Sequence, residues 1–163
     1  MNMKRIYCDI SATTPLDPRI GEFLTYLNKH TYGNPSSIHR EGQAAKAVVE
    51  KSRRQIANSI HAHPDEIIFT SSGSESNNMV LKGVLHSGDH FITSSYEHPA
   101  ILKVLPYLES QNIETSLIKP DQNGIIQPVE IEKNIQENTR LISVMWVNNE
   151  LGTINPIPEI ASI

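Results

Sequence analysis

The chain has 163 residues, 38% of them hydrophobic, enough to bury one substantial core without calling for a second independent domain. Its 14 basic and 18 acidic residues give a formal net charge of −4 with no basic run, which argues against nucleic acid as a direct partner. No apolar h-region follows the basic pair Lys4–Arg5 and no stretch approaches the roughly 20 apolar residues of a membrane span, so a cytoplasmic protein without a membrane partner is expected. A single cysteine, Cys8, excludes an intrachain disulfide and a cysteine-rich metal site.

From Pro18 the apolar residues Ile20, Phe23, Leu24 and Leu27 fall at i, i+3, i+4 and i+7, with Asp17 placed as an N-cap, and predict a short amphipathic helix. Thr31 to Ser37 is turn chemistry, and Glu41 to Ile60 reads as a longer helix with Val48, Ser52, Ile56 and Ile60 on one face. Beyond it the pattern changes to short β-rich apolar runs: Glu66 to Thr70, His90 to Ser94, Ile113 to Ile118 and Arg140 to Val147, each expected to be a buried strand. Helical patterns separate most of them, at Ser74 to Leu85, Pro99 to about Glu109 with Pro106 as a kink or stop, and Pro128 to about Glu137. Pro156 and Pro158 open one more helix. Strands alternating with helices predict βαβ units, hence an α/β class with a parallel or mostly parallel sheet.

Ligands of open α/β sheets bind beyond the carboxyl ends of the strands, and three such ends here are polar and unusual. After EIIFT comes SSGSESNN, where Gly73 lets the backbone approach a ligand and Ser74 to Asn77 open a helix with free N–H groups and a hydroxyl. That is either a phosphate site or a serine N-cap with Glu75 complementing the helix dipole. After HFITS, His98 stands between Glu97 and Pro99, either as a capping or solvated histidine or as an imidazole that stacks on an aromatic ligand and moves protons. After RLISVMWV, Asn148 and Asn149 either form a turn before Gly152 or offer an amide to a ligand hydroxyl or phenolate. Three candidates on separate strand ends point to one site more strongly than any of them alone. His61 and His63 read as a solvated loop rather than a metal pair, and no metal site is expected. Cys8 reads as a buried small residue, and Lys82, inside a predicted helix, gives no reason to be a Schiff-base residue.

Five segments, Asp9 to Ile20, Gly33 to Gly42, Glu66 to Asn78, Ser95 to His98 and Val147 to Ile157, resemble in order and spacing the NifS/IscS-type cysteine desulfurases of the class V aminotransferase group. The SATTP stretch suggests the IscS-like branch. The resemblance implies a fold-type I enzyme dependent on pyridoxal 5'-phosphate, with a three-layer α/β/α large domain. Residues 1–16 would associate with a smaller domain, and residues 17–163 would be the N-terminal part of the incomplete large domain. Carried over by position, Gly73 and Ser74 would bind the cofactor phosphate, His98 would stack on the ring and transfer protons, and Asn149 would hydrogen-bond the phenolic oxygen. Ser74 stands where the family usually has Thr.

The implied reaction converts L-cysteine to L-alanine and leaves an enzyme persulfide for a sulfur acceptor such as an iron–sulfur scaffold or a tRNA-thiolation relay. A homodimer is implied as well. The family's Schiff-base lysine and persulfide cysteine lie beyond the equivalent of Ile163, so the chain alone is expected to be inactive and to expose apolar surface and unpaired backbone groups. The alternatives are another class V enzyme, such as an aminotransferase or a selenocysteine lyase, and a non-catalytic fragment that associates with a full-length homologue.

Overall fold

In the computed structural model, which describes residues 5–163, the helix after Asp17 is α1 (Pro18–His30). The Asp17 carboxylate accepts from the Arg19 backbone N–H at 2.9 Å and pairs with the Arg19 guanidinium at 2.6 Å, which holds the Asp17 carboxyl below its ordinary range. Of its apolar stripe only Leu27 is half-buried, whereas Ile20, Phe23 and Leu24 are all exposed. Helix α2 (Arg40–Ser59) buries Gly42, Ala45 and Ala57 instead of the expected face, on which Val48 and Ser52 are half-buried and Ile56 and Ile60 exposed. The reason is close approach, since a Cβ at Gly42 would lie 2.5 Å from the Ser37 carbonyl oxygen and 2.7 Å from that of Asn34.

The strand expected at Glu66 to Thr70 is not formed. A single 3-10 turn covers Pro64–Glu66, and the chain then runs without a ladder partner, with Ile68 and Phe69 exposed. An apolar β-rich run becomes a strand only when another backbone takes its N–H and C=O groups. Here Arg53 of α2 takes that place: its guanidinium donates to the Ile67 carbonyl and lies 4.9 Å over the Phe69 ring. The chain divides after Phe69 into two units, and the second, Thr70–Ile163, holds the sheet.

That unit runs α3 (Gly73–Val84), β1 (His90–Ser94), α4 (Pro99–Leu102), α5 (Leu105–Ser110), β2 (Glu114–Ile118), α6 (Pro128–Glu132), β3 (Thr139–Ser143) and α7 (Ile157–Ala161). The segment from Pro99 breaks into α4 and α5 just before Pro106, which lacks the N–H to continue the ladder. Helix α6 stops short of the expected Glu137, where the Asn134 amide donates to the Glu130 carbonyl at 2.7 Å. The three strands are parallel in the order β2-β1-β3. Because the chain leaves β1 toward one neighbour and returns past it to the other, right-handed crossovers place the connecting helices on opposite faces.

Side chains on the central strand divide accordingly. Phe91 packs with Leu81 of α3, Leu85 at its C-cap, Ile101 of α4 and Leu105 and Leu108 of α5, while Ile92 packs with Ile118, Ile126, Ile131 of α6 and Ile160 of α7. The unit is therefore the expected three-layer α/β/α sandwich. At the amino end of the sheet, buried His90 joins all three strands, with Nδ1 2.8 Å from Thr139 Oγ1 and Nε2 2.9 Å from Ser116 Oγ. Burial pushes the His90 pKa down, and the Glu114 carboxylate opposes this in part. No helix among the described residues is long and apolar enough to cross a membrane.

Candidate functional site

The order β2-β1-β3 makes the carboxyl end of β1 a topological switch point, where the connections diverge and leave a crevice. Two of the three polar segments leave the sheet there. Past Ser94, buried Glu97 turns its carboxylate inward, and Oε1 accepts from Ser94 Oγ and from the Met145 backbone N–H, both at 2.7 Å. That second bond ends β3 early: the expected strand to Val147 stops at Ser143, and Val147 instead bridges antiparallel to Ile154. Asn155, 2% exposed, completes the tie, with Oδ1 accepting from the Ile126 N–H and the Tyr96 hydroxyl and Nδ2 donating to the Met145 carbonyl at 2.7 Å.

This scaffold separates the roles of the two asparagines. Asn148, buried, donates to the Tyr96 carbonyl at 3.2 Å, and its Oδ1 accepts from the N–H groups of Glu150 and Leu151, both at 2.9 Å. It is the turn-forming residue. Asn149 is exposed, and its side chain makes no hydrogen bond among the described residues. His98 is exposed too and is the N-cap of α4, with Nδ1 accepting from the Ala100 N–H at 3.1 Å. In the neutral imidazole that bond fixes the proton on Nε2. The capping bond thus uses Nδ1 and leaves Nε2 without a partner among the described residues.

At the start of α3 the N-cap is Ser72, whose Oγ accepts from the Glu75 N–H at 3.2 Å. Glu75 folds back so that Oε2 accepts from both the Ser71 N–H and the Ser71 hydroxyl at 2.6 Å, which lowers its pKa. The Gly73 and Ser74 N–H groups and the Ser74 hydroxyl are left exposed and without a partner among the described residues, and a Cβ at Gly73 would meet nothing within 4 Å. Free N–H groups at the positive end of a twelve-residue helix, beside a hydroxyl, suit a phosphate.

Hydrogen bonds bring the His98 and Asn149 segments together, through Glu97 to Met145 and Asn148 to Tyr96. No hydrogen bond among the described residues ties Gly73 or Ser74 to those segments; α3 packs against α4, with Leu81 and Ile101 in one core cluster. The donor set fits pyridoxal 5'-phosphate: amides and a hydroxyl for the phosphate, a flat imidazole for the ring and a carboxamide for a phenolic oxygen. Lys82 sits in the last turn of α3, about 13 Å along the axis from Gly73, with Nζ 4.7 Å over the Tyr107 ring. Glu97 and Asn155, which hold the exits, carry no signal in the sequence, because Glu97 reaches Met145 48 residues away and Asn155 reaches Tyr96 59 residues away. Cys8, expected to be buried, is exposed. His61 and His63 belong to no cluster of metal-ligating residues among the described residues.

The family model described as Aminotransferase class-V matches residues 6–163. The chain is similar to a cysteine desulfurase IscS of Dictyoglomus turgidum, at 44% identity over 99% of this chain and 42% of that protein. Among solved structures it is similar to a NifS-like protein, with a TM-score of 0.88 and 35% identity over 93% of this chain and 43% of that one. SspA in complex with cysteine superimposes with a TM-score of 0.87 and 35% identity, again over 93% of this chain and 45% of the other. The chain spans less than half the length of these relatives.

Proposed function

Because the chain belongs to the class-V aminotransferase family, we propose that it supplies the phosphate-holding and ring-holding side of the pyridoxal 5'-phosphate site of a cysteine desulfurase. The observation that supports this most is the paired strand exit, where Glu97 and Asn148 spend their polar groups on the scaffold and leave His98 and Asn149 facing outward. In this reading the Gly73 and Ser74 amides and the Ser74 hydroxyl bind the phosphate. His98 stacks on the ring with its Nε2 proton available for transfer, and Asn149 donates to the phenolic oxygen. The bound cofactor supplies an electron sink for the substrate's α-carbon.

The substrate we assign is L-cysteine, in keeping with the cysteine complex of SspA, with L-alanine and persulfide sulfur as products. A homodimer, a sulfur-accepting protein such as an iron–sulfur scaffold and a cytoplasmic location belong to the same proposal. So does association of residues 1–16 with a smaller domain, although residues 1–4 lie outside the described residues. Cys8 is the only thiol in the 163 residues and Lys82 lies in the last turn of α3 over the Tyr107 ring, so this chain alone is expected not to turn over cysteine.

The test is titration of the full chain with pyridoxal 5'-phosphate, followed by borohydride treatment and an assay for alanine release from cysteine. Reversible binding that Ser74→Ala and Asn149→Ala each weaken, with no reducible adduct and no alanine, is the expected result. A borohydride-reducible adduct with turnover would overturn the assignment of roles.

A further inference from the structure

We propose that Glu97 is a positioning residue for the ring-holding side of the site, setting the separation of His98 and Asn149 through its bond between the two strand exits; this rests on the cofactor reading above. The geometry is specific. Both hydrogen bonds of the carboxylate converge on one oxygen, Oε1, from Ser94 Oγ at the end of β1 and from the Met145 N–H just past β3, each at 2.7 Å. Glu97 immediately precedes His98, and Met145 lies four residues before Asn149, with the buried Asn148 turn between them. A displacement at Glu97 is therefore transmitted to both candidate ring contacts.

Stability alone gives no reason for a carboxylate here. Glu97 is 7% exposed and forms no ion pair among the described residues, and a buried carboxylate without a cation costs more than an apolar side chain of similar size. What an apolar residue could not do is accept the Met145 N–H, which fixes where β3 stops and where the asparagine turn begins. Pre-organising ligand contacts through neighbours that are themselves locked by hydrogen bonds is how a site keeps its tolerances narrow. Glu97 itself touches no substrate in this account.

The experiment compares Glu97→Ala and Glu97→Gln in the full chain. The glutamine keeps an Oε1 acceptor for both donors, and the alanine strands the Met145 N–H. In Glu97→Ala, protection of the Met145 amide against hydrogen exchange should be lost, and the nuclear magnetic resonance signals of the His98 ring and the Asn149 carboxamide should both shift. Affinity for pyridoxal 5'-phosphate should fall about tenfold, the scale of one lost charge-assisted hydrogen bond, while affinity for inorganic phosphate at α3 stays unchanged. Glu97→Gln should restore most of each effect. Equal loss of pyridoxal 5'-phosphate and inorganic phosphate binding would mean a merely structural role and overturn the proposal. So would unmoved His98 and Asn149 signals in Glu97→Ala. If the unmodified chain binds no pyridoxal 5'-phosphate, the cofactor reading fails, and the resonance shifts and Met145 exchange still decide whether Glu97 couples the two loops.

Discussion

Replacing Asn155 by leucine keeps the number and branching of the side-chain heavy atoms and removes every polar function it has. Asn155 is 2% exposed and makes three side-chain hydrogen bonds, to the Ile126 N–H at 2.9 Å, the Tyr96 hydroxyl at 3.1 Å and the Met145 carbonyl at 2.7 Å. The Tyr96 hydroxyl keeps a second partner, the Gly124 carbonyl at 2.9 Å, and loses little. The Ile126 N–H belongs to a fully buried residue and the Met145 carbonyl to a half-buried one, so the leucine variant strands two backbone groups at about 1–3 kcal/mol for the first and less for the second. A total loss of about 3 kcal/mol follows, a large share of the 5–15 kcal/mol typical of a whole domain. Urea denaturation should show a lower midpoint at unchanged slope, and the Ile126 amide should lose hydrogen-exchange protection. An exposed control, Asn58→Ala, should stay within about 0.5 kcal/mol of the parent. A leucine variant as stable as that control would refute the claim that Asn155 ties the strand exits together.

The two adjacent asparagines should separate cleanly: Asn148→Ala should lower stability by about 1–3 kcal/mol in urea denaturation, whereas Asn149→Ala should leave stability unchanged and weaken pyridoxal 5'-phosphate binding. Gly124→Ala should cost about 1–2 kcal/mol, because the residue has φ +77° and the new Cβ would lie 3.1 Å from Thr153 Cγ2; denaturant midpoints check it. His90 gives a pH dependence whose direction is fixed. Its folded-state pKa is depressed from 6.5, so the unfolded chain takes up the proton first on acidification. The stability it contributes is present above about pH 6.5 and lost as pH falls through the folded value. Urea midpoints measured from pH 8 downward should drop below about pH 6.5, and His90→Gln should flatten that part of the profile.

Local patterns carried much of this structure. The i, i+3, i+4 spacing located α1, the turn residues before Gly42 marked the start of α2, and Pro106 marked the break between α4 and α5. The alternation of Phe91 and Ile92 between two apolar layers follows from a central strand buried on both faces. Glu66 to Thr70 reads as a strand because an apolar β-rich run looks the same whether or not a second strand is present to pair with it, and here Arg53 donates to the Ile67 carbonyl instead. The sequence places the end of β3 too late for a related reason, since side chains distant in sequence, Glu97 and Asn155, take the N–H and C=O of Met145.

Positions directly after strands led to His98, and a glycine–serine helix start led to Gly73 and Ser74. The resemblance singles out Asn149, and the fold adds that its identical neighbour Asn148 is the one that donates to the Tyr96 carbonyl. Glu97 and Asn155 are invisible in the sequence because their partners lie far along the chain.

The central claim, that Gly73, Ser74, His98 and Asn149 form one surface for pyridoxal 5'-phosphate, is tested most directly by residue-resolved resonance mapping of the full chain during titration with that compound. The account predicts saturable shifts of the Gly73 and Ser74 amides, the His98 ring and the Asn149 carboxamide that fit a single dissociation constant. Shifts confined to other surfaces, or separate constants for the α3 amides and the His98 and Asn149 side chains, would contradict it.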